Sequence, residues 1–138
     1  MHLMNQMITQ EDDMGCGTAC VAMALNLSYE ECVALLGEVK ARTVGFQLKE
    51  LKQVLNAGGR NYKSSHINWV EPDMIHKDGT IVFIKRSKAY PYGHFLIRTN
   101  GKWGDPWINL CEDDTIERAY SGFRNNLPGD PQWLLLPG

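Results

Sequence analysis

Residues 16–27 read Cys-Gly-Thr-Ala-Cys-Val-Ala-Met-Ala-Leu-Asn-Leu, small or apolar at nearly every position. A helix that is apolar on all sides is a buried one, so the rest of the chain must wrap around this segment. With 138 residues, the chain suits one domain, 1–138, around one sizeable core. Ser28 and Glu31 stand at capping-box spacing and predict a second helix from Tyr29 to Leu36, stopped by Gly37. Phe46, Leu48, Leu51, Val54 and Leu55 recur at roughly helical spacing and predict a third, closed by Gly58-Gly59. The second half changes character. Residues 61–69, 80–85, 94–99 and 132–136 read as strands, as does a return strand from Trp103, and Asn100-Gly101 is a strong hairpin signal. After the acidic run Glu112-Asp113-Asp114, residues 115–120 read as a short helix. Helices first and strands later predict an α+β fold, with N-terminal helices packed on a C-terminal antiparallel sheet.

Composition removes several classes of function. A formal charge of -2 with 22% charged residues leaves no basic excess to hold nucleic acid or an anionic membrane. No apolar run approaches the roughly 20 residues of a membrane span, and the first residues lack the pattern of a signal peptide. A cytoplasmic protein is therefore expected, and with it free thiols at Cys16, Cys20, Cys32 and Cys111. No Cys-x-x-Cys pair is present, which argues against a structural zinc site; no metal or cofactor is expected.

The chemistry is concentrated at a few positions. Cys16 sits where a loop becomes the buried helix, between Gly15 and Gly17. Those glycines let the backbone turn tightly and a substrate approach closely. The partial positive charge and spare N–H groups of a helix start favour a thiolate and can bind an oxyanion. Gln10, six residues earlier, offers a neutral amide that polarises a carbonyl without quenching the thiolate. His94 follows Gly93 and opens an apolar strand, placing an imidazole where it can act as a general base. Asp105 comes just past the hairpin and is expected to accept the His94 Nδ1–H bond and fix the tautomer. Oxyanion donor, thiol, base and base orienter are the parts a cysteine protease of the papain type needs. Each residue also has a plainer reading: a surface glutamine, a small core cysteine, a satisfied core histidine, a turn-forming Asp-Pro. His2, His66 and His76 have weaker settings. Cys20 lies one turn beyond Cys16 as a core residue, and Cys32 and Cys111 read as buried or half-buried thiols.

Taken together, these motifs resemble the bacteriocin-processing cysteine peptidases, also called double-glycine peptidases, which have a papain-like fold. Gln10 through Ala19 matches that family's glutamine and Cys-Gly-x-Ala helix start, His94-Phe95-Leu96-Ile97 its histidine strand, and Asp105-Pro106 its Asp-Pro after a short hairpin. The likeness runs over nearly the whole chain. It implies Cys16 as nucleophile, His94 as base, Asp105 as orienter, Gln10 as oxyanion donor, and substrate contacts at Gly15, Gly17 and Gly93. It further implies cleavage after Gly-Gly in leader peptides, where glycines admit the backbone to a narrow cleft, and association with a transporter. The protein itself is expected to be a monomer acting on a peptide or protein substrate. Three features depart from the family. Gly15 replaces an aspartate and so removes one anchor of the Gln10 loop. No membrane segment is present, as in a stand-alone relative or an excised domain. Residues 87–93 make a longer approach to the histidine. Two other readings remain beside the peptidase: another thioester enzyme using Cys-His-Asp, such as a deamidase or acyltransferase, and a degenerate module that only binds a peptide.

Overall fold

The structure, a computed structural model, describes residues 6–138. Four helices precede and flank the sheet: α1 (Cys16–Leu25), α2 (Tyr29–Leu36), α3 (Glu38–Arg42) and α4 (Leu48–Ala57). Six strands follow: β1 (Tyr62–His66), β2 (Ile81–Ile84), β3 (His94–Thr99), β4 (Lys102–Asp105), β5 (Gly122–Arg124) and β6 (Pro131–Pro137). They form one sheet in the order β1-β6-β2-β3-β4-β5, every neighbouring pair antiparallel. The expected α+β arrangement is the one found.

Helix α1 is the centre of one core. Every residue from Gly17 to Ala24 is buried, and the helix packs on α2, α4 and β3. It ends sooner than the apolar run does. Asn26 takes a left-handed conformation, and the cap N–H groups return to the carbonyls of Ala22 and Met23. The capping box of α2 forms as expected, with Ser28 and Glu31 bonding each other's backbone. Alternation in the strands divides the apolar side chains between two layers. Ile81, Phe95, Ile97 and Leu135 join the helices, whereas Val82, Ile84, Leu96, Trp103 and Leu134 build a second core under the loops.

Asn100 and Gly101 have φ of 51° and 77° and connect Thr99 directly to Lys102. That two-residue turn sets the β3–β4 register, with Ile97 opposite Gly104. Continuing the register, Asp105 falls diagonally across from His94 on the same face. On the other side of β4, Asp105 pairs with Gly122, so Arg124 is its diagonal neighbour there.

Four expectations change. Helix α3 is an addition: Gly37, at φ 113°, ends α2 and opens a short helix that carries Arg42. Strand β1 stops at His66, whose Nδ1 accepts the Asn68 N–H and starts a 3-10 turn. The expected helix over 115–120 is only a 3-10 turn, Ile116–Arg118. The Asn109 side chain takes the Arg118 carbonyl and the Tyr120 N–H, so the turn cannot propagate. Finally, β5 was not anticipated, being three residues long without an alternating pattern.

Candidate active site

Cys16 is the first residue of α1, and Gly15 before it provides no side-chain cap. The N–H groups of this first turn have no acceptor within the helix. The half-buried Cys16 opens onto a cleft of about 640 Å³, whose walls include Gln10, Gly17, Gly93, His94 and Trp107. Two of the expected substrate glycines line it. Gly93, at φ 76°, turns the chain into β3, and a Cβ there would overlap the Phe83 ring. Gly17 lets α1 approach Leu51 and Phe95. Gly15 does not line the cleft: it faces Tyr29, whose hydroxyl fills the space a Cβ would need.

His94 is 2% exposed. Nε2 lies 2.6 Å from Asp105 Oδ1. The expected Nδ1 contact is thus corrected to Nε2, and the Cys16 side chain at the start of α1 also favours the protonated imidazole. The register explains the choice, because Asp105 reaches the ring from the neighbouring strand while Cys16 approaches from α1. Burial alone would lower the imidazole's proton affinity. The bonds to Asp105 and Cys16 overcome it and raise the His94 pKa to about 10.

Asp105 is fully buried and accepts three bonds: from His94, from the Trp107 N–H at 3.0 Å and from Arg124 Nε at 2.8 Å on its other oxygen. Burial would raise the carboxyl, but these bonds hold it below the usual carboxylate value. The pair is therefore an imidazolium and a carboxylate at neutral pH. Arg124, Tyr90 and Trp107 were not anticipated. Tyr90 stacks on His94 with ring centroids 5.1 Å apart and planes 12° apart, and its hydroxyl hydrogen-bonds the Cys111 side chain. Its carbonyl also accepts the N–H groups of Ser87 and Gly93, tying the long 85–93 segment to the cleft. Nothing local in the sequence marks these residues, since pairing of distant strands brings them to the site.

Gln10 is 2% exposed in the cleft wall. Its Nε2 donates to the carbonyls of Asp12 at 2.9 Å and Asp13 at 3.2 Å, and its Oε1 has no partner among the described residues. In this state the amide clamps its own loop as well as facing the cleft. The loop has a second anchor in place of an aspartate at position 15. Asp12 Oδ2 accepts the Tyr29 hydroxyl and Arg42 Nη1, each at 2.9 Å, and Arg42 continues to Glu30 at 2.6 Å.

The cleft continues past Met14, Phe46, Phe83 and Phe95 into a second hollow of about 900 Å³ with Trp133 at its wall and Lys49, Lys52 and Arg86 at its rim. All four cysteines are free thiols; Cys20 and Cys32 are buried, whereas Cys111 is exposed rather than half-buried. Burial pushes the Cys32 thiol up to about 12 and raises the Cys20 thiol as well. His66 and His76 lie away from the cleft, His66 against Trp69 and Trp133 and His76 against Trp103; His2 lies outside the described residues. Among the described residues no group of three His, Cys, Asp or Glu side chains is placed to hold a metal ion, and no single helix is long and apolar enough to cross a membrane.

No protein-family model matches the sequence, and no curated protein does either. The structure is similar to the peptidase domain of Streptococcus ComA, a bifunctional ABC transporter involved in a quorum-sensing pathway. The TM-score is 0.55 at 15% identity, over 96% of this chain and 98% of that one. The chain shares the fold of the ComA peptidase domain. At that identity the likeness concerns fold alone, and the reading of the site rests on its own geometry.

Proposed function

We propose that the protein is a cysteine endopeptidase of the double-glycine type. One observation carries the reading: a buried histidine held 2.6 Å from a buried, ionised carboxylate in the same cleft as a cysteine at a helix start. Cys16 is the nucleophile. The proton that leaves the Cys16 thiol is the one the His94 imidazolium holds at Nδ1, and the sulfur attacks a peptide carbonyl to form a tetrahedral intermediate. The Cys16 backbone N–H and Gln10 Nε2 donate to its oxyanion, the amide exchanging its longer bond, at 3.2 Å to Asp13, for the substrate oxygen. Collapse to a thioester expels the amine, which takes the Nδ1 proton from His94. Water, deprotonated by His94, then attacks the thioester and frees the acid. Asp105 holds the ring through Nε2 throughout and does not take the proton.

The groove beyond Cys16 supports an extended peptide as substrate, with apolar side chains along Phe46, Phe83 and Phe95. The same groove between apolar walls suits glycine at the bond cut. Association with a transporter belongs to this proposal as well, since the structural relative is part of one.

Peptides of leader type ending in Gly-Gly test the reading. The native protein is expected to release two fragments that together gain one water, cut after the second glycine. Cys16→Ala is expected to abolish cleavage, and His94→Ala to slow it by about 10²–10⁴-fold. Hydrolysis unchanged in Cys16→Ala would refute the assignment. A one-unit mass gain on a glutamine would instead identify a deamidase built on the same thioester chemistry. Iodoacetamide mapping gives an independent check. Cys16 is expected to label ahead of the exposed Cys111, and to lose that advantage in His94→Ala.

A further inference from the structure

Asp105 presents a problem that His94 alone does not solve. The carboxylate is fully buried, and a buried charge needs a partner at every stage of the reaction. While His94 is an imidazolium, it supplies one. When His94 gives its proton to the leaving amine, the ring becomes neutral and that compensation disappears. Asp105 still carries its charge, and the Trp107 N–H, at 3.0 Å, is only a dipole.

The structure supplies a permanent cation in the right place. Arg124 sits on edge strand β5, diagonal to Asp105 across the β4–β5 pair. Its Nε donates to Asp105 Oδ2 at 2.8 Å, while Nη2 donates to the Ile108 carbonyl at 3.0 Å. One guanidinium thus grips the far oxygen of the carboxylate and the segment just after it. The two carboxylate oxygens are divided, Oδ1 to His94 and Oδ2 to Arg124. A guanidinium does not deprotonate in proteins, so this pairing persists in both states of the imidazole.

We propose that Arg124 is a positioning residue of the site: it aims the Asp105 carboxylate at His94 and keeps that carboxylate charge-paired when His94 releases its proton. The inference rests on the peptidase reading for its place in the reaction, but the electrostatic coupling it asserts does not. Groups facing His94 come from four directions: Cys16 from α1, Tyr90 from the 85–93 segment, Asp105 from β4 and, behind it, Arg124 from β5. Cys111 interacts with the Tyr90 hydroxyl beside the ring. Of these, Arg124 alone carries a positive charge that no reaction step removes. Without it, proton loss from His94 would strand a buried carboxylate, so the His94–Asp105 pair would hold its shared proton more tightly. The imidazolium would then be a poorer acid toward the leaving amine.

The test is an NMR titration of the imidazole nitrogens in ¹⁵N-histidine-labelled protein, with His94 assigned by its loss in His94→Gln. In Arg124→Gln the His94–Asp105 pair is expected to titrate about one pH unit or more above the native protein, the scale of removing a neighbouring charge. Arg124→Lys keeps the charge and loses the grip on Ile108, so its titration should stay near native while its melting temperature falls. A native-like titration in Arg124→Gln, or an equal shift in both variants, overturns the proposal and reduces Arg124 to a structural tie. Should the glutamine variant not fold, the native Arg124 Nε–H resonance decides. It is expected to move with the His94 titration, and a resonance indifferent to it would overturn the coupling. None of these readouts requires peptide cleavage. A protein that cuts no peptide but shows the Arg124→Gln shift would refute the proposed function and leave this inference standing.

Discussion

The amide of Gln10 is where a single residue faces two demands. It is nearly fully buried, its Nε2 donates to the Asp12 and Asp13 carbonyls, and the same nitrogen is the side-chain donor proposed for the oxyanion. A residue that only held the loop would affect folding and substrate binding. One that also stabilised the oxyanion would lower kcat, because that bond is complete only in the transition state. Gln10→Ala is expected to reduce kcat by about 10²–10³-fold with a much smaller change in KM. Equal loss in both constants, with reduced thermal stability, would assign the amide to the loop alone. Asp105→Asn separates two roles in the same way. It keeps an oxygen for Trp107 or His94 but removes the charge that sustains the imidazolium, so Cys16 labelling by iodoacetamide should slow together with hydrolysis.

At the scale of elements, the start of α1 depends on a contact between two distant residues. A Cβ on Gly15 would overlap the hydroxyl of Tyr29, which is itself bonded to Asp12. Gly15→Ala is therefore expected to destabilise by about 1–3 kcal/mol, as overpacking does. In a Tyr29→Phe background the hydroxyl is gone and the cost of the same change should shrink. A double-mutant cycle on urea denaturation reads the coupling, and strict additivity would show that the contact carries no strain. This pair also marks the limit of what can be read along a chain. The helix starts, the capping box of α2 and the Asn100-Gly101 hairpin are local signals, and Cys16 falls at the start of α1, His94 at the start of β3 and Asp105 at the end of β4. Loop anchoring by Tyr29 and Arg42, the Arg124 grip and the Tyr90 stack are not local. They join residues far apart in sequence, through a three-residue strand and a five-residue helix too short to show a period. The Nε2 contact of His94 has the same origin, since strand register decides which ring nitrogen meets the carboxylate.

For the whole molecule, burying a charged pair on the sheet beside the start of α1 makes stability depend on pH in a defined window. The folded His94 pKa, about 10, lies above its unfolded value of about 6.5. A group raised on folding contributes fully below its unfolded pKa, and its contribution is lost as pH climbs toward the folded one. Stability should therefore begin to fall above about pH 6.5, by an amount on the order of a few kcal/mol once pH 10 is reached. The buried thiols of Cys20 and Cys32 are also raised and add their own alkaline loss. Theirs begins only near the ordinary thiol value of about 8.5, so between about pH 6.5 and 8.5 the slope belongs to His94. Asp105, lowered on folding, acts at the other end, its contribution disappearing as pH falls below about 4. Urea unfolding at several pH values between 6 and 8.5, at constant m, measures the His94 part directly. The native protein should lose stability across that range, and His94→Gln, lacking the imidazole paired with Asp105, should be flat over it. A native protein that is equally flat would mean that His94 enters the fold as a neutral ring, and the charged pair at the head of α1 would have to be abandoned.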